Sequence, residues 1–136
     1  MTLTDLFQLS LAGRRESTAL EFQDRTYTFG EIEARAARMA AVLSARGLRV
    51  GDRLCVYLAN CVEWVDLYLA CVRLGVILTP INILYREREI GHILEDAGPK
   101  AVVVSGELPC SAPANIWQVA DLLAEAESGR HPAAPL

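Results

Sequence analysis

The chain has 136 residues, of which 52% are hydrophobic and 22% are charged, and its formal net charge is −4. This length suits a single domain, the apolar content argues against disorder, and the mild charge gives no reason to expect nucleic acid or an anionic membrane as a partner. The N-terminus lacks a basic region followed by an apolar core, and the apolar stretch from Val62 to Ile83 is interrupted by charges and Pro80. Neither a secretory signal nor a membrane span is therefore expected, and the expected location is the cytoplasm.

The first third of the chain predicts two helices separated by a hairpin. Thr2–Ala12 has leucines and a phenylalanine at helical spacing, and Thr18–Phe22 and Arg25–Thr28 flank a two-residue turn. A longer helix then begins at Thr28, which forms with Glu31 the spacing of a capping box, and it ends at Gly47. Tyr27 and Ile32 stand where a hydrophobic staple would lie.

The middle of the chain alternates short apolar runs with amphipathic ones. Predicted strands cover Leu54–Leu58, Val76–Leu78 and Ala101–Val104. One helix between them follows Asn60, whose spacing to Glu63 predicts an N-cap, and ends at Gly75; another covers Arg86–Ala97. Alternating strands and helices joined by short loops predict an α/β fold, with a mostly parallel sheet covered by helices on both faces.

The last thirty residues carry a weaker pattern. Gly106–Asn115 is predicted as a loop and Trp117–Glu127 as a final amphipathic helix. Residues 128–136 are rich in Gly, Pro and Ala and are interpreted as a linker-like tail, which leaves residues 1–127 for the domain.

Ligands of an open parallel sheet bind beyond the carboxyl ends of its strands, which are here near Asn60, Asn82 and Ser105-Gly106. Asn60 is explained by its predicted capping role, and Asn82 by making the loop after Pro80. Ser105-Gly106 follows a strand as a phosphate-binding turn would, but the chain has neither glycine-rich phosphate-binding pattern. None of these residues is therefore assigned a binding role.

The residues give little support for a metal site or for reactive cysteines. His92 has Asp96 four residues on, but a metal site needs further ligands and His131 lies in the tail. The four cysteines lack zinc or disulfide spacing, so Cys55 and Cys71 are interpreted as buried thiols of a reducing compartment. The charged run Arg86–Glu89 is expected to be solvated, and Trp64, Tyr68 and Trp117 fit core or interface positions. No catalytic, cofactor-binding or metal-binding residue is predicted.

The region from Tyr27 to Asp96 nevertheless contains a series of short motifs. They are Tyr27-Thr28-Phe29-Gly30-Glu31, Val50-Gly51-Asp52-Arg53, Asn60-x-x-Glu63-Trp64, Tyr68-Leu69-Ala70-Cys71-x-x-Leu74-Gly75, Pro80-Ile81-Asn82 and Ile93-Leu94-Glu95-Asp96-Ala97. In this order the series resembles the N-terminal part of the adenylate-forming ligases, the AMP-binding superfamily that includes the acyl-CoA synthetases. The resemblance implies that residues 1–127 are the first part of that family's large N-terminal domain.

Members of this family make an acyl-adenylate from a carboxylic acid and ATP with Mg²⁺, then pass the acyl group to a thiol, usually coenzyme A. The family supplies that chemistry from a glycine-rich phosphate loop with a lysine and from a lysine in a C-terminal domain, and the sequence contains neither. Lys100, the only lysine, stands at the start of a strand and cannot replace them. Some relatives have a basic residue near the coenzyme A path where this chain has Leu84, so no binding role is implied there.

Three hypotheses follow. The resemblance favours an N-terminal portion of an ATP-dependent acid–thiol ligase that is inactive alone, binds no cofactor itself and exposes apolar surface that promotes self-association. A free-standing, non-catalytic α/β binding or regulatory module with the same scaffold is the alternative. A small enzyme that uses Cys61 or Cys110 as a nucleophile is a third; it requires a depressed thiol pKa and a nearby base.

Overall fold

The computed structural model describes residue 9, residues 12–111 and residues 115–129. Apart from Leu9 and Ala12, the predicted helix Thr2–Ala12 lies outside the described residues, and so does the tail beyond residue 129. The predicted hairpin is confirmed: β1 (Thr18–Phe22) pairs antiparallel with β2 (Arg25–Thr28). Its two turn residues, Gln23 and Asp24, both have positive φ, the conformation that a two-residue hairpin turn requires.

Helix α1 (Phe29–Ala45) begins and ends as the sequence predicts. The Thr28 side chain accepts a hydrogen bond from the Glu31 backbone N–H, and the Glu31 carboxylate accepts one from the Thr28 N–H, both at 3.1 Å. Tyr27 and Ile32 belong to one buried cluster, which confirms the staple. At the other end Gly47 has φ of +100°, and the Leu48 N–H donates back to Leu43 O.

A parallel four-stranded sheet with the order β4-β3-β5-β6 forms the centre of the described chain. Its strands are β3 (Arg53–Tyr57), β4 (Ile77–Pro80), β5 (Ala101–Val104) and β6 (Asn115–Gln118). Helices α2 (Val62–Leu74) and α3 (Glu87–Ala97) connect the first three strands, and α4 (Val119–Glu127) follows the last. The first three strands and α2 and α3 confirm the prediction, with boundaries shifted by one or two residues.

Helices cover both faces of this sheet, as predicted, because consecutive strand residues point to opposite sides. Leu54, Val56 and Val103 face the larger core with residues of α1, α2 and α4. Their neighbours Cys55, Val102 and Val104 face a second cluster, to which α3 contributes Ile90 and Leu94. The mostly parallel α/β architecture is therefore confirmed.

The end of the chain differs from the prediction. The predicted helix Trp117–Glu127 begins only at Val119, because Asn115–Gln118 pairs in parallel with β5 as the strand β6. Trp117 lies opposite Val103 in this ladder and packs against the larger core. The hydrogen bonds and burial available beside β5 outweigh the helical spacing that Trp117 shares with the residues after it.

Candidate ligand-binding site

The carboxyl edge of the sheet carries an open cleft of about 560 Å³ between the ends of β3 and β4. Its lining comes from the segment after β3, from the first turns of α2 and from the loop after β4; the residues are Leu58, Ala59, Asn60, Trp64 and the run from Pro80 to Tyr85. This is the edge at which an open parallel sheet binds its ligands. The cleft lies at two of the strand ends considered from the sequence, those near Asn60 and Asn82, although the sequence assigns none of the lining residues to binding.

Hydrogen bonds define the conformation of the loop after β4. The buried Ile81 donates its N–H to Val56 O at 2.8 Å, which extends the pairing of the two strands by one residue. Asn82 Oδ1 accepts a hydrogen bond from Leu84 N at 2.8 Å, and Asn82 O accepts one from Tyr85 N at 3.0 Å. Tyr57 Oη donates to Ile83 O at 3.3 Å from the neighbouring strand. The predicted loop-making role of Asn82 is confirmed.

Asn60 does not cap helix α2, which corrects the sequence prediction. The N-cap residue is Cys61, whose backbone is extended and whose side chain makes no capping hydrogen bond. The helix begins at Val62, so Asn60 lies before its N-cap and stays exposed at the cleft wall. The Asn60 amide makes no hydrogen bond with the described residues and is therefore open to a ligand.

Trp64 forms the inner wall of the cleft on the first turn of α2. Its indole Nε1 donates to Leu58 O at 3.1 Å, and its ring packs against the larger core. The sequence interpretation of Trp64 as a core or interface residue is therefore correct but incomplete, because the ring also lines the cleft. An aromatic residue four positions after a polar residue near a strand end was the available signal for this wall.

Ser105-Gly106, at the end of β5, is closed to anions by a neighbouring side chain. Gln118 Oε1 accepts a hydrogen bond from Gly106 N at 2.9 Å, and Gln118 Nε2 donates to Gly106 O at 2.8 Å. The backbone N–H that a phosphate-binding turn would offer is thus already occupied. Gly106 is left-handed, with φ of +94°, so its glycine serves the turn itself.

Lys100 and two of the arginines form structural contacts outside the cleft lining. Lys100 lies before β5, at the amino edge of the sheet, where Nζ donates to Gly47 O at 2.6 Å and pairs with Asp52 at 3.3 Å. Arg35 and Arg46 pair with Asp66 and Glu125 on the helical layer. The lining of the cleft includes no Asp, Glu, His, Lys or Arg side chain.

Nucleophilic and metal chemistry also find no site in the described part of the chain. Burial raises the pKa of the Cys61 and Cys110 thiols, which is opposite to what a cysteine nucleophile requires. Cys55 and Cys71 are buried, as predicted, and burial raises their pKa to about 11 and about 12. Among the described residues no group of three or more His, Cys, Asp or Glu could hold a metal ion. No described helix is long and apolar enough to cross a membrane.

Comparison with known proteins identifies the family. The family described as AMP-binding enzyme matches residues 7–134. The chain belongs to this family. It is 32% identical over 104 residues to a long-chain-fatty-acid–CoA ligase of Escherichia coli O157:H7, and 34% identical over 102 residues to one of Bacillus subtilis. The matches cover 76% and 75% of this chain but 18% of each ligase, so the chain spans about a fifth of the length of these relatives.

Solved structures confirm the fold. An artificially fused adenylation–carrier di-domain protein, NpsA-ThdA of Klebsiella oxytoca, matches 98% of the chain with a TM-score of 0.90 at 23% identity, over 26% of its own length. The N-terminal subdomain of Klebsiella oxytoca NpsA, in complex with 3-hydroxybenzoyl-AMSN, matches 98% of the chain and 34% of its own with a TM-score of 0.86 at 24% identity. The architecture is therefore that of the N-terminal domains of adenylate-forming enzymes.

Proposed function

We propose that this chain forms the first part of the N-terminal domain of an ATP-dependent acid–thiol ligase. Such an enzyme joins a carboxylic acid to ATP as an acyl-adenylate and then transfers the acyl group to coenzyme A. The observation that carries the proposal is the match to the AMP-binding enzyme family over residues 7–134, together with 32–34% identity to two fatty-acid–CoA ligases. The cytoplasm is proposed as its location, because all four cysteines are free and two of them are buried as thiols.

The described residues support this chemistry without performing it. Adenylation needs positive groups that neutralise a triphosphate while a carboxylate attacks its α-phosphorus. The residues present do not fit that task, since the cleft at the carboxyl edge has no cationic lining and Lys100 lies at the opposite edge of the sheet. We therefore assign no step of the reaction to these residues and propose that the chain alone is inactive and binds neither ATP nor Mg²⁺.

The decisive experiment measures carboxylate-dependent exchange of pyrophosphate into ATP. The purified chain is compared with the product of its native reading frame, read through codon 136, using acetate, octanoate and benzoate as acids. We expect exchange from a product that includes both a glycine-rich loop with a lysine and a C-terminal domain with its lysine, and none from the chain itself. Exchange by the chain alone would contradict its proposed inactivity. A longer product that contains the loop and the C-terminal lysine and folds, but never exchanges, would contradict the ligase assignment and favour the non-catalytic binding module.

A further inference from the structure

We infer that Lys100 is a site of N-acylation by acyl phosphates, which bind beside it in a second cleft at the amino edge of the sheet. The inference goes beyond the proposed function, because it concerns the edge of the sheet opposite to the first cleft. It rests on the proposed function in one respect only: an acyl-adenylate, the intermediate of the proposed ligase, is one member of this class of donor.

The amino-edge cleft has the size of a ligand site. It is an open cleft of about 470 Å³ between the start of β3 and the end of α3, and its lining consists of Gly51, Asp52, Arg53, Ala97, Gly98 and Lys100. The volume lies within the range of roughly 300–1,000 Å³ that is common for ligand pockets. In contrast to the first cleft, its lining carries charged side chains, two cations and one carboxylate, so an anionic ligand finds a net positive charge there.

Lys100 supplies the amine that accepts the acyl group. Its Nζ donates to Gly47 O at 2.6 Å and lies 3.3 Å from an oxygen of Asp52, contacts that hold the amine at the cleft. The side chain is still 46% exposed, so a donor in the cleft can reach Nζ. Lys100 is the only lysine of the chain. Because the guanidinium of an arginine is not deprotonated in proteins, Lys100 is also the only side-chain amine that can act as a nucleophile.

Arg53 supplies the group that binds the phosphoryl end of the donor. It stands beside Lys100 at the start of the neighbouring strand, where Lys100 N donates to Arg53 O at 2.9 Å. The guanidinium is exposed, and only Nη1 is used within the described chain, donating to Ala97 O at 2.9 Å. Nε and Nη2 therefore remain available among the described contacts, and two N–H groups of one guanidinium match two oxygens of a phosphate.

The reaction transfers an acyl group from oxygen to nitrogen. The neutral amine of Lys100 attacks the carbonyl carbon of the acyl phosphate, so that a C–N bond forms and the C–O bond to the phosphoryl group breaks. The phosphoryl oxygen leaves with the electron pair and takes up the proton that the nitrogen loses. The products are an N-acyl-lysine and phosphate, or AMP where the donor is an acyl-adenylate. The new amide is uncharged and no longer forms an ion pair with Asp52.

Peptide mass analysis of the purified chain measures the rate of acetylation at Lys100. The donors are acetyl phosphate and the uncharged thioester S-acetyl-N-acetylcysteamine. We expect the rate to saturate with acetyl phosphate in the folded chain and to rise linearly in the chain unfolded by urea, because only the folded chain has the binding site. Inorganic phosphate should slow the reaction of acetyl phosphate and leave that of the thioester unchanged. Saturable modification by acetyl-adenylate as well, or by acetyl phosphate alone, identifies which members of the class are donors.

Two matched variants test the role of Arg53. Arg53→Gln should slow the reaction of Lys100 with acetyl phosphate at least about fivefold and change the thioester reaction less than about twofold, because only acetyl phosphate has a phosphoryl group to bind. Arg88 is exposed and lies outside the cleft lining, so Arg88→Gln should leave both rates unchanged. Acetylation of the amino terminus is the internal reference. Far-ultraviolet circular dichroism and thermal unfolding show that each variant is folded.

Absence of saturation in the folded chain, equal inhibition of both donors by phosphate, or equal effects of the two glutamine variants would each overturn the inference. The first two measurements use the unmodified chain, so they decide the question even where a variant does not fold. Because the donor is supplied and no ATP is needed, the result does not depend on ligase activity. Modification without pyrophosphate exchange in the longer product contradicts the proposed function alone, and exchange without modification contradicts this inference alone.

Discussion

Arg35 and Asp66 form the most deeply buried ion pair of the described chain and join α1 to α2. Arg35 Nε and Nη2 donate to the two carboxylate oxygens at 3.1 and 2.7 Å, and the two side chains are only 12% and 2% exposed. Burial raises the pKa of Asp66, and the adjacent Arg35 opposes that shift. Burial removes the hydration of both charges, so the pair is expected to specify how the two helices pack more than to stabilise the fold.

Removing one partner of this ion pair should therefore destabilise the fold far more than replacing both partners. Asp66→Ala leaves the Arg35 guanidinium without its counter-charge, and we expect the free energy of unfolding to fall by about 3–5 kcal/mol. The double variant Arg35→Leu with Asp66→Leu replaces the pair by apolar volume and should recover most of that loss. Urea unfolding of the three proteins measures both effects. A double variant as unstable as Asp66→Ala would mean that the pair itself stabilises the fold.

The four thiols should react slowly with alkylating reagents. Only the thiolate reacts, and a pKa of about 12 for Cys71 instead of 9.0 lowers its thiolate fraction roughly a thousandfold at neutral pH. Iodoacetamide labelling at pH 7.5, followed by peptide mass analysis, should modify Cys61 and Cys110 more slowly than a free cysteine. Cys55 and Cys71 should react only after unfolding. Rapid labelling of Cys61 that does not change between pH 6 and pH 8 would instead revive a nucleophilic role.

At the level of elements, two glycines of the described chain differ in whether their surroundings require a glycine. Gly75 ends α2 with φ of +71°, and a Cβ added there would lie 3.2 Å from Val50 Cγ1. Gly91 lies inside α3, and a Cβ there would meet nothing within 4 Å. Gly75→Ala should therefore destabilise the fold by more than about 1 kcal/mol, and Gly91→Ala should stabilise it by about 0.5–1 kcal/mol. Thermal unfolding of both variants tests the contrast, and a stabilised Gly75→Ala would refute it.

The C-terminus of α1 lacks a basic residue in its last turn and is instead stabilised from elsewhere in the chain. Lys100 Nζ donates to Gly47 O just beyond that end and pairs with Asp52, whose carboxylate also accepts a hydrogen bond from Arg49 N. The Arg49 N–H, and secondarily Lys100, hold the pKa of Asp52 below its ordinary value of 3.8. Arg53 stabilises α3 in the same way, because Nη1 donates to Ala97 O at 2.9 Å.

This arrangement predicts an acid-dependent loss of stability. A carboxyl group whose pKa is lower in the folded state stabilises the fold above its unfolded pKa, and this contribution disappears as the pH falls from about 3.8 through the folded value. Asp52→Asn should be less stable than the natural chain at pH 7 and should lose less stability between pH 5 and pH 2. Urea midpoints across this range measure both slopes. Parallel pH curves for the two proteins would contradict the role of Asp52.

The sequence predicts these elements well wherever local signals decide them. The capping box at Thr28, the left-handed glycines at Gly47 and Gly75 and the apolar run of β5 each act within a few residues. The sequence predictions fail where contacts between residues far apart in the chain determine the structure. The strand Asn115–Gln118 exists because β5 lies beside it, and α2 begins at Val62 although the spacing of Asn60 and Glu63 predicts a cap one residue earlier. Topology indicates the edge of the sheet at which the cleft lies, but the interpretation of Asn60 as a cap does not predict that Asn60 lines the cleft.

At the scale of the whole molecule, the two edge strands of the sheet offer a surface for association among the described residues. The strand order places β4 and β6 outermost, and Ile77 and Ile116 on these strands are 49% and 46% exposed. Edge strands with unpaired backbone groups and exposed apolar side chains are templates for pairing with another chain. Exposed apolar side chains were expected, whereas self-association remains a prediction.

We expect the purified chain to associate reversibly as its concentration rises, through these two edges. The double variant Ile77→Lys with Ile116→Lys should lower the weight-average mass toward that of the 14.9 kDa monomer, because a charge on an edge strand disfavours pairing with another strand. Val50→Lys is the control, since Val50 is 83% exposed and lies outside the strands. Sedimentation equilibrium at several concentrations gives the masses. If Val50→Lys lowered the mass as much as the double variant, general apolar exposure rather than strand pairing would drive the association. A mass equal to that of the monomer at every concentration would contradict the prediction of self-association.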